Sequence, residues 1–192
     1  MREIDLEKER FDLDREMTFL HFRKAEKIIR RCLEKAEKEK NCFFIYYFTA
    51  QKYILKEVFK KAVENLDNAL NLRPSDGITY NDKAVCLAEM EDYESSLLCF
   101  NEGIKRDRDC ASLYHNKGWL LNLLGRYKPA IICFHKALEL HPDRPESLYS
   151  LGDSYYHLGE LKKTRIYFKK AARAIKGKSS YFYKETLRRL KT

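Results

Sequence analysis

Five histidines and six cysteines are the residues of this sequence with the most chemistry to offer. His21, His115, His135, His141 and His157 are scattered without a metal-ligand spacing, and no H-E-x-x-H occurs. Cys32, Cys42, Cys86, Cys99, Cys110 and Cys133 form no C-x-x-C pair, so neither the zinc nor the thioredoxin pattern is present. There is no G-x-S-x-G nucleophile elbow and no glycine-rich loop that would cradle a phosphate. The residues therefore predict no enzyme, no metal and no cofactor. The cysteines read as small apolar side chains of a reducing compartment.

What positions these residues must be helical. The 192 residues are 44% hydrophobic and 35% charged, which suits a soluble, folded chain. Only 7 Gly and 4 Pro occur, none before Pro74. A chain so poor in turn residues and rich in Leu, Lys, Glu and Ala predicts an all-α protein. The opening "MREIDLEKER" lacks a signal-peptide core, and the longest apolar run, Cys42 to Phe48, is too short to span a bilayer. A cytoplasmic protein without membrane contact is expected.

Self-comparison shows a fixed period of 34 residues. It relates Gly118 to Gly152, Gly125 to Gly159, Cys99 to Cys133, Ala137 to Ala171, and Phe100 to Phe134 and Phe168. Four units follow without insertion: 43–76, 77–110, 111–144 and 145–178. Position 4 carries Tyr46, Tyr80, Tyr114 and Leu148; position 8 carries Ala50, Ala84, Gly118 and Gly152. Position 20 carries Ala62, Ser96, Ala130 and Thr164; position 24 carries Leu66, Phe100, Phe134 and Phe168; position 27 is also small.

The spacings i, i+4, i+7 put positions 4, 8 and 11 on one face of a first helix, and 20, 24 and 27 on one face of a second. Small residues at 8 and 20 let the two backbones approach, and the large residue at 24 fills the space beside them. Pro74 and Pro142 at position 32 end second helices. Pro129 falls in the first turn of a second helix, where its missing N–H has no intrahelical partner to lose.

This pattern resembles the tetratricopeptide repeat. The resemblance implies a right-handed superhelical solenoid of antiparallel helix pairs, with a concave groove lined by first helices. Lys83 and Lys117 depart from the family's usual Leu at position 7, and Lys176 from the terminal Pro. It also implies which residues face the groove: Tyr47, Phe48 and Gln51; Asn81, Asp82 and Val85; His115, Asn116, Trp119 and Asn122; and Tyr149, Asp153 and Tyr156. Aromatic rings with a few amides suit a peptide or helix of a partner protein. The alternative for the first set is that Phe44, Tyr47 and Phe48 are buried under residues 1–42 acting as a lid. The family's carboxylate-clamp pattern is missing, since Tyr47, Gln51, Asp82, Ser112 and Asn116 give no match. The frame of Asn81, Val85, Asn116, Glu146 and Ser150 gives one.

The ends are less regular. Residues 1–42 read as one or two helices, or as a degenerate repeat in a frame shifted by three, with Ala25, Ile29 and Cys32 at positions 20, 24 and 27. Residues 179–192 predict an amphipathic capping helix with Tyr183, Leu187 and Leu190 on one face. Residues 160–192 hold 12 Lys/Arg against 2 Asp/Glu, so the formal excess of +9 lies at this end. Without an aromatic–glycine motif beside them, these charges read as a solvated or acid-binding surface before an RNA-binding one. The function expected is a non-catalytic protein-interaction scaffold, monomeric in preference to a self-assembling structural protein.

Overall fold

A computed structural model describes residues 5–18, 21–175 and 188. Among the described residues the ten helix segments are α1 (Leu6–Thr18), α2 (Phe22–Lys38), α3 (Cys42–Ile54), α4 (Phe59–Leu72) and α5 (Gly77–Glu89), followed by α6 (Tyr93–Arg106), α7 (Ala111–Leu123), α8 (Tyr127–Leu140), α9 (Pro145–His157) and α10 (Leu161–Ile175). No strand occurs among the described residues, and the fold is an all-α helical repeat. The expected capping helix at 179–192 lies outside the described residues, apart from Arg188. The chain forms two compact units, Met1–Cys99 and Phe100–Thr192, with the boundary inside α6.

Local chemistry explains the helix limits. Asn41 and Asp76 cap α3 and α5 by accepting from the backbone N–H of Phe44 (3.4 Å) and Thr79 (2.8 Å). Pro145 opens α9 at a position where no N–H is missed. Pro74 and Pro142 fall just beyond α4 and α8. Each turn inside a helix pair has a left-handed residue in the same register: Glu57 (φ 56°), Glu91 (φ 61°), Gly125 (φ 69°) and Gly159 (φ 75°). The two glycines adopt this conformation without a side-chain penalty, and the two glutamates do not.

In the first unit α2 packs on α1 and α3, and α4 on α3 and α5. Ala25, Ile29, Cys32, Ala50, Ala62, Leu66 and Ala69 share one buried core with Leu6 and Leu13 of α1. Ser96, at a position that is Ala in two other units, is buried and donates to the Ala84 carbonyl at 2.7 Å. In the second unit α7 packs on α8, α8 on α9, and α9 on α10. The close approach required at position 8 is visible directly. A Cβ on Gly118 would stand 2.7 Å from Cε1 of Phe134, and one on Gly152 would stand 2.6 Å from Cδ1 of Phe168. The phenylalanine ring takes the volume that a side chain at position 8 would need.

Candidate functional site

The first unit buries most of its expected groove residues. Tyr47, Phe48, Gln51 and Asn81 are buried, and Asp82 and Val85 are half-buried. The expectation that these first four present a surface to a partner is therefore corrected. The reason lies in α1, a helix that runs beside them and fills their side with Leu6, Arg10 and Leu13.

Arg10 is the centre of this arrangement. It is 2% exposed, and its guanidinium donates to both carboxylate oxygens of Asp76, at 2.8 and 2.6 Å, and to Oγ1 of Thr79 at 3.3 Å. It also lies over the Tyr47 ring, 4.1 Å from the centroid. Arg73 covers Phe43 at 3.8 Å and pairs with Glu7 of α1 at 2.5 Å. Tyr47 donates to Asp82 at 3.0 Å, and Gln51 donates to the same oxygen at 2.5 Å.

Burial sets the protonation of this network. It pushes the Asp82 carboxyl up to about 6, helped by the nearby charge of Asp14 and opposed by Arg10. Burial also acts to raise Asp76, but the hydrogen bonds and charge of Arg10, with those from Thr79, hold it below the ordinary carboxylate value. The Tyr47 phenol is raised well above its usual value by burial and by Asp82. The ring, amide and carboxylate groups expected to meet a partner thus meet α1 and one another.

The second unit differs. Trp119 on α7 is 38% exposed and Tyr156 on α9 is 40% exposed. Asn116, Asn122, Tyr149 and Asp153 are half-buried. Asn122 fixes α7 against α9: it accepts from the Ser154 hydroxyl at 2.8 Å and donates to the Ser150 carbonyl at 3.4 Å. Tyr149 packs on Phe168 at 5.2 Å between ring centroids. His157 extends the face, stacked on Tyr127 at 4.8 Å and 3.7 Å from Asp153. Leu123, one turn beyond Trp119, is also exposed.

His115 is the exception in this unit, and its expected surface position is corrected. It is buried, with Nδ1 3.0 Å from the Ser147 hydroxyl and its ring on Phe134. Burial, with the positive charge of Arg144, pushes its pKa down to about 3, so the ring is neutral. This Ser–His pair is sealed from solvent, which leaves it a packing role. Among the described residues no three His, Cys, Asp or Glu side chains gather as a metal site. No described helix is long and apolar enough to cross a membrane.

Sequence reasoning missed Arg10, Asp76 and Thr79, which organise the first unit. The available signal was the shifted frame. Counted from Leu6, it puts Arg10 at position 5, the position of Tyr47 in the next unit.

Family models of the tetratricopeptide repeat match residues 111–144 and 145–176. A search of curated protein sequences finds no match. Among solved structures, the chain is similar to TTC0263, a thermophilic TPR protein in Thermus thermophilus. The identity is 16% and the TM-score 0.78, over 98% of this chain and 100% of that one. It is also similar to a MamA protein, at 18% identity and TM-score 0.62, over 92% and 94% of the two chains. MamA 41-end from Desulfovibrio magneticus RS-1 matches at 17% identity and TM-score 0.61, over 79% and 92%. At these identities the likeness concerns the fold. Residues 111–144 and 145–176 are thus two consecutive tetratricopeptide repeats, in the register of the 34-residue period and on a helical-repeat fold.

Proposed function

We propose that this protein is an interaction scaffold that binds a peptide or helix of another protein on the α7–α9 face of its second unit. Tetratricopeptide repeats are protein-interaction modules in general, and the matched repeats at 111–144 and 145–176 support that coarse role. The finer reading rests on one observation: Trp119, the only tryptophan, stands 38% exposed beside an asparagine already locked to the neighbouring helix. A large ring on a fixed backbone loses little entropy on binding and offers much area. Asn116, Asn122 and Asp153 supply polar groups for a peptide backbone, and Tyr156 supplies a second ring. In the first unit α1 occupies the side on which that unit's own rings would bind. The division into four units at 43–178 with flanking segments belongs to the same reading. So does a cytoplasmic location, where the six cysteines stay reduced.

The test is a capture experiment from the native host with the parent protein and with Trp119→Ala. A protein retained by the parent and lost from the variant, with unchanged circular dichroism, supports the reading. Equal retention by both refutes it. Light scattering of the purified chain should give the mass of one copy.

A further inference from the structure

We propose a second interaction surface, on the outer side of α10 and its cleft with α8, that takes an acidic segment of a partner protein carrying apolar side chains. α10 has six basic residues, Lys162, Lys163, Arg165, Lys169, Lys170 and Arg173, and no acidic one. All six are exposed. Two of them have partners: Lys163 pairs with Glu160 at 2.6 Å, and Lys170 lies over Tyr167 at 5.4 Å. The sequence that follows, 176–192, brings six more Lys/Arg and one Glu, so it adds positive charge. Like-charged groups on one helix face repel, and such a face is stabilised by bound negative charge.

Apolar groups are set among these cations. Ile166 is 52% exposed and Leu161 56% exposed on α10, and Ile132 on α8 is 71% exposed. Position 22 is thus isoleucine in both matched repeats, pointing to solvent. Between the two helices lies a cleft of about 720 Å³, lined among others by Leu138, Leu148, Tyr167, Lys170 and Arg173, and by one carboxylate, Asp143. Its apolar side chains, with two cations against one carboxylate, fit a leucine or valine next to a glutamate or aspartate.

The rings favour protein over nucleic acid. A nucleic acid without sequence readout uses cations together with free aromatic faces on which bases stack. Here Tyr167 is already stacked on Tyr155 at 5.5 Å and 12°, with His135 against its edge at 6.1 Å. The exposed apolar groups are aliphatic.

The test uses four fluorescent or scattering probes with the full chain. These are a helical Glu–Leu peptide, the same peptide with Leu replaced by Ser, an oligouridylate, and vesicles of phosphatidylserine. The Glu–Leu peptide should bind most tightly. Its dissociation constant should rise about tenfold or more in the Lys169→Glu, Lys170→Glu, Arg173→Glu triple variant. Ile166→Ser should remove the preference over the Glu–Ser peptide, and Trp119→Ala should leave binding unchanged, which separates this surface from the α7–α9 face. Should the triple variant lose its helical spectrum, the corresponding glutamine variant takes its place. Equal binding of the two peptides by the parent, tighter binding of the oligouridylate or the vesicles, or indifference to both sets of substitutions would overturn the proposal.

Discussion

Replacing Arg10 by Met should unfold the first unit far more easily than a surface change would. The substitution keeps an apolar stem of similar length but removes the guanidinium. Four hydrogen bonds at 2.6–3.3 Å disappear, two to Asp76 and one each to Thr79 and Glu7, together with a cation 4.1 Å from the Tyr47 ring. Asp76 and Asp82 then remain, largely covered, without their cation. Breaking a buried ion pair by removing one partner costs about 3–5 kcal/mol. Asp76 keeps its bond from the Thr79 N–H, which softens the loss, so about 3 kcal/mol is expected. For a unit of this size that corresponds to a drop of roughly 12 °C or more in melting temperature. Hydrogen exchange read by mass spectrometry over α1, α3 and α5 isolates this unit from the other. Asp76→Asn should be milder, because asparagine also caps a helix. The double variant should recover part of the sum, since the orphaned charge is gone. A loss below about 1 kcal/mol for Arg10→Met would refute the claim that this residue pins α1 to the unit.

Three further outcomes follow from the same geometry. The two units should respond oppositely to acid. Asp82, with a folded pKa of about 6 above its unfolded value, binds its proton more tightly when folded, so the first unit should gain stability as pH falls from about 6 to about 4. His115, pushed down to about 3, is protonated more readily when unfolded, so the second unit should lose up to about 1.4 kcal/mol per pH unit below about 6.5. Exchange rates followed across pH, with Asp82→Asn and His115→Gln flattening the respective slopes, check both signs. Glu57→Gly and Glu91→Gly should each stabilise the fold by about 0.5–1 kcal/mol in urea denaturation, because they relieve left-handed residues of their side chain at some cost in chain entropy. Among the thiols, the exposed Cys42 should be alkylated fastest in the native state. Cys32 and Cys99, which burial pushes up to about 12 and about 11, should react only on unfolding, as peptide mass mapping would show.

The repeat register was legible because it is enforced locally and four times over. A small residue at position 8 and a large one at 24 are two sides of one contact, as Gly118 with Phe134 and Gly152 with Phe168 demonstrate. That register also gave the solvent-facing place of Trp119 and Tyr156. For Tyr47 and Phe48 the sequence left two readings open, groove or burial under residues 1–42, and burial of Gln51 and Asn81 was not legible at all. It depends on Arg10 reaching Asp76, 66 residues away, a pairing with no period to announce it. α1 also hides its register, because Leu13 is large where the other units have Ala or Gly. Neutral His115 is a similar case: its position matches the groove pattern, but Ser147 from the next helix pair supplies a buried partner.

The most direct test of the binding face is calorimetric titration of a captured partner with the parent protein and with Trp119→Ala, beside a thermal melt of each. A half-exposed ring contributes little to folding and much to a buried interface. The expected result is a loss of at least about 2 kcal/mol in binding, roughly thirtyfold in affinity, with the melting temperature unchanged. Unchanged affinity, or a variant that melts far below the parent, would contradict the assignment of Trp119 as the centre of the binding face.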